Sequence, residues 1–218
     1  MGLPNPEDEE EALGLPPAAR GLLAHLRARR SIRRYRPDPL PEDLVRACLE
    51  AARWAPSAHN RQPWRFAVVR DPERKARLAR AMGERLAADR RADGVPEEEI
   101  AAEVGRSVAR ITGAPVVLVV CLSMAEMDRY PDPRRQAAER AMAIQSVAMA
   151  GQNLLLMAHA LGLGACWMCA PLFCPETVRE VLGLPADWEP QGLVTLGVPA
   201  GMPPPRSRRP LHAFTCWL

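Results

Sequence analysis

The chain has 218 residues, 48% of them hydrophobic, with a formal net charge of +3. That length suits one domain with a full core, and so small a net charge excludes a general nucleic-acid-binding field; the basic character is local. No basic-then-apolar leader is visible, and the richest apolar stretch, Ala141 to Leu161, is interrupted by Gln145, Gln152, Asn153 and His159 before it reaches the roughly 20 residues of a membrane helix. Six scattered cysteines (48, 121, 166, 169, 174 and 216) read as reduced thiols. A cytoplasmic protein without membrane or nucleic-acid partners is expected.

In chain order, residues 1–18 hold Glu7-Asp8-Glu9-Glu10-Glu11 and several prolines, the pattern of a flexible acidic tail. A single domain over 19–218 is expected to follow. Ala19 to Arg30 reads as a helix with Leu22, Leu23 and Leu26 inward. Pro37, Pro39 and Pro41 delay the next helix, whose Leu44, Val45, Cys48, Leu49 and Ala52 recur at helical spacing. Trp64 to Arg70 reads as a strand. Asp71 to about Arg91 and Pro96 to Ile111 read as charged helices, an insertion over 71–111 with a solvated face. Ala114 to Leu122 is a continuous apolar run and reads as a buried central strand.

A Pro-rich loop is expected over Met127 to Gln136, then a long helix from Ala137 to Leu161. That helix is apolar nearly all round and so reads as buried, with small residues that admit a neighbouring helix. Gly162 to Pro171 is a turn and short strand, Pro175 to Leu182 a helix stopped by Gly183, and Gln191 to Val198 a strand. Residues 199–218 form a Pro- and Arg-rich C-terminal arm that either disorders or wraps a neighbour. Few strands among many helices indicate an α+β or α/β sandwich.

The chemistry concentrates between Arg29 and Phe66. Arg29, Arg30, Ser31 and Arg33 suit a phosphate, because guanidinium forks pair with phosphate oxygens and a hydroxyl adds a donor. The turn Pro56-Ser57-Ala58-His59-Asn60 and the following Gln62 offer polar groups for a flat heterocycle. A mononucleotide-like cofactor fits both ends. A basic solvated surface followed by an ordinary helix-to-strand loop fits them equally.

Rossmann, P-loop and nucleophile-elbow motifs are absent. The four histidines do not fall at metal-ligand spacing, so no metal site is expected. Cys166-Trp167-Met168-Cys169 is formally a C-x-x-C, but lies in an expected strand rather than at a helix N-terminus. A tightly bound FMN needs a phosphate clamp, partners for its pyrimidine edge and a donor near N5. Arginines at both ends of the chain, and a backbone N–H in the strand after Gly164, meet that description.

With Arg29-Arg30-Ser31-Ile32-Arg33, Ala55 to Trp64 (APSAHNRQPW), Gln152 to Leu156, Leu161 to Gly164 and Leu196-Gly197 in order, the chain resembles the nitroreductase family of FMN-dependent oxidoreductases over about residues 24–215. The resemblance implies a three-layer α+β sandwich, a central and mostly antiparallel sheet flanked by helices, in an obligate homodimer with FMN at the interface. It implies Arg29, Arg30 and Ser31 at the phosphate and ribityl chain, and Arg33 at the pyrimidine side. Pro56, Ser57 and Asn60, with Gln62 beside them, would come from the partner subunit. Gly164, Met168, Cys169 and Ala170 would lie along the flavin toward N5, and Arg208, helped by Arg206, would close the phosphate clamp. Hydride would pass from NADH or NADPH through N5 to a small acceptor such as a nitroaromatic or quinone, by ping-pong, with no obligatory catalytic side chain. The segment Ala158 to Leu172 is also similar to reductases of a dehydro-precursor of coenzyme F420 and, more weakly, to the flavin-destroying enzyme that makes the lower base of cobalamin. A non-catalytic flavin-binding protein is the alternative from another class.

Overall fold

The computed structural model describes residues 14–218; the acidic cluster read as a tail lies outside the described residues. The expected central strand is β2 (Val116–Leu122), with all seven residues buried. It pairs antiparallel with β1 (Trp64–Val69) on one side and β4 (Glu189–Gly197) on the other, and β4 pairs antiparallel with β3 (Gly164–Met168). The sheet order is β1-β2-β4-β3. Alternation along β2 divides its side chains between two cores. Val116, Leu118, Val120 and Leu122 face one cluster, and Val117, Val119 and Cys121 the other. Each fully buried Val or Leu stabilises the fold by about 1.5–3 kcal/mol, so β2 and β4 anchor both layers.

On the first face lie α2 (Glu42–Arg53) and α5 (Pro133–Ala160). α2 buries Val45, Cys48 and Ala52, three of the five positions singled out by periodicity, with Leu44 and Leu49 packed at the margin. On the second face lie α3 (Pro72–Ala92), α4 (Glu97–Thr112) and α6 (Pro175–Leu182). The charged outer side of α3 and α4 is laced by Arg85–Asp89, Arg91–Glu97 and Arg90–Glu103 pairs. Their inner side is core: Leu78, Ala79 and Met82 pack with Val117, Val119 and Cys121. Lys75, the only lysine, is buried and donates to the Ala114 carbonyl at 2.6 Å. The segment read as an insertion is therefore the outer layer of an α+β three-layer sandwich.

Four expectations change. α5 begins at Pro133 rather than Ala137, because Asp132 accepts from the Arg135 N–H and Pro133 fits the first turn. It is also buried on one face only: Ile144 and Met149 are about two-fifths exposed, since no other layer among the described residues covers that side. By length and composition α5 could cross a membrane; its buried face belongs to the sheet core. Gly151 admits an indole rather than a helix. A Cβ there would lie 2.5 Å from the Trp167 ring, and one at Gly192 equally close, so Trp167 is wedged between α5 and β4.

The first helix, α1 (Pro17–Ala28), buries none of its residues. Leu22 and Leu26, expected inward, are exposed because only α5 touches this helix closely. His25 provides the tie. Its ring stacks on His159 with centroids 4.6 Å apart, and its Nε2 is 3.0 Å from the Leu156 carbonyl. Burial, then His25, Arg29 and Arg30, hold the His159 imidazole below its ordinary value.

Tyr35 fastens the chain after α1 to the sheet. Its hydroxyl lies 2.5 Å from the Ile32 carbonyl and 2.8 Å from Thr195 Oγ1, and burial pushes its pKa far up. Tyr35→Phe leaves these buried acceptors short of a donor and is expected to destabilise the fold by about 1–2 kcal/mol, read as a lower urea midpoint at unchanged slope. His159 carries a pH prediction. Its folded pKa is depressed, so between that value and the unfolded value of about 6.5 the unfolded chain binds more protons; stability rises with pH through this window and is lost on acidification. The melting temperature should fall from pH 7 to pH 5.5, and His159→Gln should flatten that fall; equal slopes would refute the assignment.

Candidate functional site

β3 is an edge strand, and the chain leaving α1 runs along it. Ser31 forms a parallel bridge with Ala165, and the Ile32 N–H donates to the Ala165 carbonyl at 3.0 Å. Gly164 is required by this approach, since a Cβ there would come within 2.7 Å of the Ile32 side chain. The Cys166 thiol donates to the Trp167 carbonyl at 3.5 Å. Burial pushes that thiol up, while Arg33, Arg110 and Arg29 pull it down. Arg29, Ser31, Arg33 and the start of β3 thus share one neighbourhood.

Among the described residues the arginines in it have no anionic partner. Arg30 donates to the Arg27 and Arg29 carbonyls, and Arg33 to the Ser31 carbonyl at 3.4 Å. Among the described residues no carboxylate pairs with Arg29, Arg30 or Arg33, whereas Arg46, Arg53, Arg85 and Arg140 each hold one. Like charges gathered without counter-ions repel, and an anion held between them relieves that repulsion.

At the far end of β3, Met168 is half-buried and Cys169 is exposed at the cap of the short helical turn Ala170–Phe173. The Trp167 indole N–H donates to Cys169 Sγ at 3.2 Å. Cys169 lies beyond the strand rather than within it, so Cys166 and Cys169 are not opposite faces of one strand. All six cysteines are free thiols. Gly164 to Ala170 therefore run from the arginine cluster to an exposed turn, about 3.4 Å per residue while extended.

The turn between α2 and β1 is separately built. His59, Asn60 and Gln62 all have φ between 51° and 54°, a region that non-glycine residues enter at a cost. Side chains hold them there. Ser57 Oγ accepts from the Gln62 N–H at 3.1 Å, and Gln62 Nε2 donates to the Asn60 carbonyl and Oδ1. The Ala58 N–H donates to Ser146 Oγ on α5 at 3.3 Å. Pro56, Ser57, Asn60 and Gln62 thus form one unit. Among the described residues no hydrogen bond or ion pair joins it to Arg29–Arg33.

Residues 200–218 are exposed throughout. The start of this arm is pinned beside the cluster, where the Ala200 N–H donates to the Arg34 carbonyl. Among the described residues Arg208 then bonds only the carbonyls of Arg206 and Ser207. Neither Arg206 nor Arg208 is hydrogen-bonded or ion-paired to Arg29–Arg33 in this chain.

Several residues that shape the site carry no sequence signal. Tyr35, Cys166 and Trp167 act through contacts between distant segments. Glu139 had a signal available, as the one acidic residue in the 28-residue helix α5.

The profile of the Nitroreductase family matches residues 26–198. A curated relative, the NADH dehydrogenase of Thermus thermophilus, is 39% identical over 87% of this chain and 92% of that protein. The 5,6-dimethylbenzimidazole synthase of Rhodospirillum rubrum is 33% identical over 82% of each. Among solved structures, a nitroreductase-type protein of Desulfovibrio desulfuricans in complex with FMN is 30% identical, with a TM-score of 0.69 over 94% of this chain and 98% of that one. With that profile spanning residues 26–198 and a relative 39% identical over 87% of its length, the chain belongs to the Nitroreductase family.

Proposed function

We propose that this protein is an FMN-dependent oxidoreductase that passes hydride from NADH or NADPH to a small organic acceptor such as a nitroaromatic or quinone, each substrate occupying the same position in turn. The observation that carries this reading is a cluster of arginines with no carboxylate partner among the described residues, on a segment that Ser31 and Ile32 bond to the edge of β3. That donor set fits a flavin mononucleotide: planar guanidinium forks and a hydroxyl match a phosphate, and the strand edge beyond offers backbone amides to a flat ring. FMN supplies the redox step when bound, taking hydride and giving it up at one ring nitrogen.

The chain's own residues bind and orient. Arg29, Arg30 and Ser31 hold the phosphate and ribityl chain. Arg33 sits at the pyrimidine edge, where a positive group offsets developing negative charge. Met168, Cys169 and Ala170 present backbone beside the reacting ring, next to the exposed Leu172 and Phe173. No side chain serves as general acid or base in this scheme.

A second copy of the chain completes the site. The strained turn of Pro56, Ser57, Asn60 and Gln62 reaches the partner's flavin, and the arm carries Arg206 and Arg208 to a phosphate. Uncovered apolar surface supports this. Leu22 and Leu26 on α1, Ile144 and Met149 on α5, and Trp54 are all exposed in the single chain. A groove of about 420 Å³ between α1, α2 and α5 is lined by His25, Trp54, Asn153 and Met157. The proposed location is cytoplasmic, where nicotinamides are supplied and thiols stay reduced.

The purified protein should be yellow, and NADH or NADPH should bleach it without oxygen. A colourless protein that ignores added FMN would refute the proposal, and bound FMN untouched by either nicotinamide would favour the non-catalytic reading. Arg29→Ala should weaken FMN binding by about 1.5–3 kcal/mol in a titration. Sedimentation should give a dimer, and a flavin-loaded monomer would exclude the shared site.

A further inference from the structure

We infer that His59, Asp128 and Glu139 form a binding site for one divalent transition-metal ion that ties the Pro56–Gln62 turn to α5. The ligand-type atoms of these three side chains all lie within 4.8 Å of one another. An ion with bonds of about 2.1 Å sets neighbouring ligands about 3 Å apart and opposite ones about 4.2 Å apart. Small side-chain rotations therefore bring all three onto one ion.

Glu139 is the second and independent observation. It is 0% exposed. Its Oε1 accepts the Asp128 backbone N–H at 3.1 Å, while its Oε2 has no hydrogen-bond partner. An ionised carboxylate buried with one oxygen unsatisfied is strongly unfavourable unless a cation meets it. Arg61, the nearby guanidinium, is committed elsewhere: it holds Asp128 Oδ1 at 2.6 Å. That contact fixes the Asp128 carboxylate and leaves its second oxygen for the ion, the arrangement by which outer partners orient metal ligands.

The donor set names the class of ion. One imidazole nitrogen and two carboxylate oxygens suit zinc or manganese. They suit magnesium and calcium less, which favour all-oxygen shells, and copper(I) less, which favours sulfur. Three protein ligands leave the remaining positions to water on the exposed side of His59. The role is positional. The three residues come from the turn before β1, the loop after β2 and the second turn of α5, so one ion clamps a strained turn to the helix core. Nothing in this inference depends on the flavin reading.

The test uses the full chain with its native cofactor content, treated with EDTA and titrated with Zn2+ by calorimetry. Co2+ absorption provides a second readout of the ligand field. The variants are His59→Asn, which tolerates the same left-handed backbone, and Glu139→Gln, which keeps the shape and removes the charge. One Zn2+ per chain is expected, with binding weaker by roughly tenfold or more in each variant. Zn2+ should also raise the melting temperature of the parent and not of the variants. Absent or superstoichiometric weak binding in the parent would overturn the site. So would equal binding by His59→Asn, which would place the metal on thiols instead. If Glu139→Gln fails to fold, His59→Asn on the exposed turn and Asp128→Asn decide the question alone.

Discussion

The antiparallel pairing of β2 with β4 is the constraint on which the rest of the molecule depends. Both strands are buried almost end to end, so neither face of the sheet can be left to water. One face must receive α2 and α5, and the other α3, α4 and α6. A β-bulge between Val120 and Cys121 locally shifts the register of this central pair without breaking it. With the middle of the sheet satisfied on both sides, its edges are left for other uses. β1 is one edge, and β3 is the other.

The β3 edge is where the fold carries the proposed function. An unpaired strand edge is a row of free amides and carbonyls. Here its first residues are taken by Ser31 and Ile32, while Tyr35 locks the same segment to Thr195. Arginines that would otherwise spread into solvent are thereby fixed at defined positions along a strand. Trp167, wedged against Gly151 and Gly192, sets the far end of that strand against α5. Mobile arginines would bind any anion weakly; arginines fixed on a scaffold lose less freedom on binding. The proposed site is therefore a consequence of sheet geometry rather than of a loop grafted onto it.

Equally informative is what one chain leaves uncovered. α1 buries nothing, α5 shows apolar side chains on its outer face, and the terminal arm exposes Leu211, Phe214 and Trp217. α1 and α5 lie on the side of the sheet that carries the polar turn and away from the charged α3–α4 layer, whose ion pairs face solvent. That unequal treatment of the two sides is what the proposed pairing with a second copy rests on. The buried Glu139 at the base of the polar turn has one carboxyl oxygen that this packing does not satisfy among the described residues.

The sequence by itself determined the order and nature of the elements. The apolar run from Ala114 to Leu122 read as a central strand, and helical spacing identified α2. The motifs at 29–33 and 55–64 disclosed the family, because short local patterns survive in the order of residues. Other features were decided only by tertiary structure. Whether Leu22 or Ile144 is covered depends on which layers exist, which periodicity does not record. That Gly151 receives an indole, that Lys75 caps carbonyls forty residues away, and that His59, Asp128 and Glu139 converge all rest on contacts between segments far apart in the chain. Periodicity reports which face of an element is apolar; only packing decides what meets that face.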